Sequence, residues 1–202
     1  MSRLTQIIGL LYRMERDDVT ALAEQLLEQR KRAWATALAE LGREYGCGKP
    51  PRAPSGDDLR ELRRMSREDA RQIADTWNKD VSRQIERLYE ANPRGNRHYY
   101  ARRLEAWSAE RNAWKAPSIA FNTAQQTRFY AQQAFYRANG IEPRFIFVGP
   151  PPVCEACVMH FAAGVVGQDY VDRNAAPVHV NCPHEWRALR QERIPCEDLW
   201  LG

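Results

Sequence analysis

Apolar residues recur at steps of three and four through most of the first 140 positions, a spacing that places them on one side of a helix. Leu4, Ile7, Ile8, Leu11, Val19, Leu22, Leu26 and Leu38 mark the first stripe, with Trp34 extending it, and charged residues fill the positions between. Residues 1–45 therefore read as a long N-terminal amphipathic helix. The run from Gly46 to Gly56 holds Pro50, Pro51 and Pro54 among glycines. Neither helix nor strand interiors tolerate such a cluster, so residues 46–56 read as a hinge.

Residues 57–140 read as a helical domain. A helix starts near Asp57 or is reset at Ser66, where Ser66-Arg67-Glu68-Asp69 has the form of a capping box ahead of Ala70, Ile73, Trp77, Val81, Ile85 and Leu88. Asn92-Pro93-Arg94-Gly95-Asn96 breaks it, and Tyr99, Tyr100, Leu104, Trp107 and Trp114 predict a third helix with an aromatic face. Aromatic stripes at helical spacing are usually core. Pro117-Ser118 predicts the first turn of a fourth helix, which runs through Phe121, Tyr130 and Phe135 to a C-cap at Asn139-Gly140.

At residue 141 the character changes. Phe145-Ile146-Phe147-Val148 is short, aromatic and β-branched, with Pro143 before it and Gly149-Pro150-Pro151-Pro152 after it, which predicts a strand. Residues 141–202 read as a small α+β module, and the chain as mainly α: extended N-terminal helices and a helical bundle followed by that module.

Composition fits a globular chain: 202 residues, 44% hydrophobic, with 11 Gly and 12 Pro. No stretch reaches the roughly 18–20 apolar residues of a membrane span, and the run from Ile7 to Leu11 is too short for a secretory signal. A cytoplasmic protein without a membrane partner is expected. The net charge is +4, carried by 26 Arg against 4 Lys. Arginine suits carboxylate and phosphate contacts, and a GC-rich coding sequence accounts for the same bias. Arg60, Arg63, Arg64, Arg67 and Arg71 form a cationic stretch open to an acidic partner or DNA, or simply a solvated helix face.

Five cysteines without a secretory signal point away from a disulfide framework and toward metal. Four of the five, and three of four histidines, lie beyond residue 148. Cys154-Glu155-Ala156-Cys157 is a C-x2-C pair, and His179-Val180-Asn181-Cys182-Pro183-His184 follows about 25 residues later. Cys154, Cys157, Cys182 and His184 supply a Cys3His set for one structural zinc ion. His179 is an alternate ligand, and Cys196 and His160 lie near in sequence. Buried inert thiols are the bland alternative. A nucleobase-deaminase reading of Pro152 to Cys157 fails because His98 precedes Tyr99 and Tyr100, so the required H-x-E is missing. His179-Val180-Asn181 beside a cysteine pair is also similar to HNH-type nucleases, but the paired residue ahead of it is not apparent.

The order of these pieces from Ser118 to Arg187 resembles the phage head morphogenesis family, the minor head (minor capsid) proteins of the phage Mu F-like type. The matching elements are Ile119 to Thr123 at a helix entry, Ala138 to Ile141 at its exit, the Phe145–Val148 strand, the Cys154/Cys157 pair, Gly164-Val165-Val166, and the His179–His184 motif. Two positions depart from the pattern: Asn122-Thr123-Ala124 replaces Arg-Thr-Glu, and His184 replaces a cysteine, a swap that zinc accepts and a disulfide would not. The resemblance implies a non-enzymatic protein of the virion head or procapsid, assembled in the host cytoplasm. It implies the portal protein as partner, with scaffold, major capsid protein and packaged DNA as further ones. Apart from it stand a zinc-dependent DNA-binding protein and an HNH-like metal nuclease.

Overall fold

A computed structural model describes residues 5, 8–9, 11–47, 51, 53–152, 154–174 and 182–189. The chain is mainly helical, with a small C-terminal region that carries two strands and a Cys/His cluster. The elements bounded within the described residues are α1 (Arg16–Glu44), α2 (Gly56–Ala91), α3 (Arg97–Ala138), β1 (Arg144–Val148), α4 (Glu155–Ala162), α5 (Gln168–Arg173) and β2 (Glu185–Leu189). They group into two compact units, one of residues 1–27 and 63–117 and the other of residues 28–62 and 118–202. Among the described residues no helix is long and apolar enough to cross a membrane.

In the first unit Ile8, Val81, Ile85, Leu88, Tyr100 and Leu104 form the core, flanked by Tyr12, Trp77, Tyr89, Tyr99 and Trp107. The N-terminal stripe is not one helix, contrary to expectation, because the chain leaves helical geometry at Tyr12 and re-enters at Arg16. Side chains of α2 take the backbone groups released there. The Trp77 indole donates to the Tyr12 carbonyl at 2.7 Å, and Asn78 accepts from the Met14 N–H at 2.9 Å and donates to its carbonyl at 3.3 Å. Asp18 then accepts the Glu15 N–H at 2.9 Å, half of a capping box for α1.

Helix α2 begins at the hinge and is not reset at Ser66. Ser55 is its cap, accepting the Asp58 N–H at 3.2 Å while its hydroxyl donates to the Asp58 carboxylate at 2.6 Å. Ser66 has the same S-x-x-D spelling but is buried in the helix interior, where every turn already has its backbone partners. The predicted break at 92–96 is present: Asn96 accepts the Tyr99 N–H at 3.0 Å, and the Tyr100 hydroxyl donates to the Asn92 carbonyl at 2.7 Å.

The third and fourth predicted helices are a single helix, α3, with Pro117 inside it. Pro117 cannot donate to the Ala113 carbonyl, yet both residues are exposed, so water can take the orphaned acceptor. The helix stops where expected. Gly140, at φ 62°, lets the Ile141 N–H reach the Tyr136 carbonyl at 2.9 Å while its own N–H reaches Arg137 at 3.3 Å, a Schellman ending.

In the second unit Trp34, Leu38, Leu41, Leu62, Ala131 and Phe135 are buried. Trp34 packs against Tyr130, and Tyr45 against Phe135. Arg30 is fully buried among them and donates to the Thr127 hydroxyl at 2.8 Å and the Gln126 side chain at 3.2 Å. The Tyr130 hydroxyl donates to Asp58 at 3.1 Å, and burial with that carboxylate pushes its pKa up to about 12. Tyr136 meets Phe145 edge-on, which joins α3 to the first strand.

β1 and β2 pair antiparallel, from Arg144 opposite Leu189 to Val148 opposite Glu185. Phe145 and Phe147 turn inward on alternate positions, and Phe145 also exchanges backbone bonds with Val166 at 2.8 and 2.9 Å. A proline inside a helix costs about 3 kcal/mol relative to alanine. Pro117→Ala is accordingly expected to raise stability by up to about that amount, read as an upward shift of the urea denaturation midpoint. An unchanged or lowered midpoint would mean that α3 needs the proline.

Candidate metal centre

The C-x2-C pair sits at the start of α4. Cys154 is the helix N-cap in extended geometry, and its Sγ accepts the Cys157 N–H at 3.4 Å. This is the usual capping bond with sulfur in place of oxygen. One turn into the helix the Cys157 side chain is fully buried.

The other two members come from the segment entering β2. Cys182 and His184 are both buried on either side of exposed Pro183, so they turn to the same side. The pairing of β2 with β1 carries that side to Cys157. Cys157 Sγ and Cys182 Sγ are 3.7 Å apart, and Cys182 Sγ lies 3.4 Å from His184 Nδ1. The ligand atoms of Cys157, Cys182 and His184 all fall within 4.8 Å of one another, and all three residues are at most 1% exposed. Together they could hold a metal ion.

The orientation of His184 is set by its other nitrogen. Nε2 lies 2.8 Å from the Pro150 carbonyl, which only accepts, so Nε2 carries the proton and the Nδ1 lone pair faces the sulfurs. Partners of this kind hold metal-ligating imidazoles in place. The ring stacks on Phe147 at 5.3 Å and 27° and meets Phe161 edge-on. Burial pushes the Cys157 thiol up to about 12, and the neighbouring Cys154 and Cys182 sulfurs act in the same direction. Any cation bound here would displace protons from these thiols.

Cys154 is half-buried and bonded to Cys157 but does not join the group of three mutually close ligands. His179 and Cys196 lie outside the described residues. His160 is engaged elsewhere. Its Nδ1 lies 3.2 Å from the Tyr170 hydroxyl, its ring packs on Phe147 and Trp186, and burial lowers its pKa. Cys47 is disulfide-bonded, where the sequence points away from a disulfide framework, and its partner lies outside the described residues because Cys154, Cys157 and Cys182 form no disulfide. Arg60, Arg63, Arg64, Arg67 and Arg71 are all exposed on α2. Two of them are engaged locally, Arg60 with Asp57 and Arg64 with Glu68 at 2.6 Å.

Gly149 and Pro150 do not stand out as site residues in the sequence, yet both shape the centre. Their signal is the Gly-Pro-Pro-Pro run that ends the strand. Comparison of the chain with protein-family models, curated proteins and solved structures yields no match.

Gly149 has φ 152°, and a Cβ there would stand 2.3 Å from Cδ2 of the His184 ring. Gly149→Ala is therefore expected to dislodge His184 and to weaken metal binding at least tenfold, measured by competition with a chromogenic chelator. Unchanged affinity would show that His184 is not a ligand.

Proposed function

We propose that this chain is a non-enzymatic phage minor head protein, acting in head or procapsid morphogenesis near the portal vertex. In this reading one structural zinc ion, held by Cys154, Cys157, Cys182 and His184, fixes its C-terminal module. The observation that carries the reading is the convergence of Cys157, Cys182 and His184: the two cysteines belong to the motifs on which the family resemblance rests, and His184 stands where the pattern has a further cysteine.

The chemistry of the donors favours zinc. Tetrahedral zinc with sulfur at about 2.3 Å and nitrogen at about 2.0–2.1 Å separates two sulfurs by about 3.8 Å and a sulfur from a nitrogen by about 3.6 Å. The spacings here are 3.7 and 3.4 Å. Cys154, already on Cys157 at the cap of α4, supplies the fourth ligand. A closed set of three thiolates and one imidazole suits a structural ion, since catalytic zinc keeps a position for water. The ion would stabilise a region whose described residues form two five-residue strands and two short helices, a small scaffold of the kind that metal binding helps to hold in shape.

Metal analysis of the purified chain is expected to give about one zinc per chain, falling to near zero in Cys182→Ser and persisting in His184→Cys, because zinc accepts either ligand. Zinc retained in Cys182→Ser would refute the ligand set. The assembly role is read separately, by pull-down of the tagged protein from phage-producing cells with a high-salt wash. Portal, scaffold or major capsid subunits surviving the wash are expected. Nucleic acid alone, lost as salt rises, would replace this role with DNA binding.

A further inference from the structure

Helices α2 and α3 face each other in the first unit across two kinds of surface. Val81, Ile85 and Leu88 meet Tyr100 and Leu104 as an ordinary apolar seam. Farther along α3 the facing positions change character and leave a cleft of about 400 Å³. Asp80, Arg83, Gln84 and Arg87 line it from one face of α2, and Trp107, Glu110, Arg111, Trp114 and Lys115 from α3.

The floor of this cleft is rigid. Arg111 is nearly buried and donates to one Asp80 oxygen from Nε at 3.0 Å and Nη2 at 2.5 Å. Its guanidinium lies over the rings of Trp77 at 4.8 Å and Trp107 at 5.8 Å. The rim is different: Trp114 is 58% exposed, and the Lys115 ammonium sits 4.8 Å from the centre of its ring. Arg83 and Arg87 are exposed on the opposite wall. Four cations against two carboxylates make the cleft net positive. Trp107 and Trp114 are two helical turns apart, about 10 Å.

An exposed indole costs solvation and is not needed for packing here, since the apolar seam lies elsewhere. Indole faces beside guanidinium and ammonium groups match a ligand that alternates flat π-systems with anions. We propose that this cleft binds single-stranded nucleic acid, with a base stacking on Trp114 above the floor that Trp107 and Arg111 form, and the phosphates met by Arg83, Arg87 and Lys115. The proposal shares no residue with the metal centre and does not depend on it. It also differs from the arginine stretch noted in the sequence, because at 3.6 residues per turn Arg67 and Arg71 fall roughly on the other side of α2 from Arg83 and Arg87.

The test is fluorescence anisotropy of a labelled oligothymidylate of about 20 nucleotides titrated with the full chain at several salt concentrations. Trp114→Ala is expected to weaken binding by about tenfold or more, while Trp114→Phe keeps most of it, in line with about 1–3 kcal/mol per stacked base. Replacing Arg83 and Arg87 together by alanine is expected to lower affinity and to flatten the slope of log affinity against log salt by about 1.4, roughly 0.7 per phosphate contact. Replacing Arg67 and Arg71 together should change affinity by less than about twofold. All these side chains are exposed, so the fold is retained, and circular dichroism checks it. Three outcomes would overturn the proposal: no binding, equal losses from the two arginine pairs, or indifference to Trp114→Ala. Displacement of the oligonucleotide by polyglutamate that itself depends on Trp114 would assign the cleft to an acidic peptide instead.

Discussion

The C-terminal region depends on the ring of Phe147. A two-stranded sheet is marginal alone, and β1 and β2 bury Phe145, Phe147 and Trp186, of which Phe147 meets the most rings. Its ring meets His160 at 5.2 Å, Phe161 at 5.3 Å, His184 at 5.3 Å and Trp186 at 4.7 Å. Those partners come from α4, from the approach to β2 and from β2 itself. The same ring that packs the strands therefore stacks on the His184 imidazole, a member of the cluster that could hold a metal ion. Gly149 lies so close to the His184 ring that there is no space for a side chain between them. The ligand is fixed by packing and by its bond to Pro150 before any ion is considered.

Elsewhere polar side chains set the boundaries that apolar periodicity leaves open. Trp77 and Asn78 take the backbone groups where the chain leaves helical geometry between Tyr12 and Glu15. Ser55 opens α2, and Asn96 opens α3. In the second unit buried Arg30 is held by threonine and glutamine groups of α3, and Arg128 of the same helix pairs with Glu40 of α1. A buried polar group such as Arg30 specifies one packing, because each alternative would strand its donors in an apolar environment, whereas the Arg128–Glu40 pair is partly open to solvent.

Two chemistries thus occupy different units of the chain. One is a thiol and imidazole cluster without solvent access, suited to holding a small region in one shape. The other is an open, positively charged, aromatic cleft between two helices, whose floor is braced by the Arg111–Asp80 pair. The proposed head-assembly role draws on the first and on the family resemblance, while the second offers a surface to a ligand whatever the metal centre does.

Much of this is legible in the sequence, for reasons that are local. Steps of three and four place apolar residues on one helix face, Asn92–Asn96 and Asn139-Gly140 supply turn chemistry, and Phe145–Val148 is a short aromatic and β-branched run bounded by proline and glycine. Cys154 and Cys157 are one helical turn apart, so local geometry alone brings them together. What the sequence leaves open, or misleads on, requires a distant partner. Ser55 and Ser66 carry the same capping spelling, and only burial within α2 separates them. Pro117 has the look of a helix start, but α3 continues through it because both flanking segments are packed and the lost hydrogen bond faces solvent. The β2 strand carries little pattern of its own and exists by pairing with β1. Of the histidines near the cysteines, His160 is given to Tyr170 and His184 to the sulfurs, an assignment made by the register of β2 against β1, which brings together residues that the sequence separates by about 25 positions.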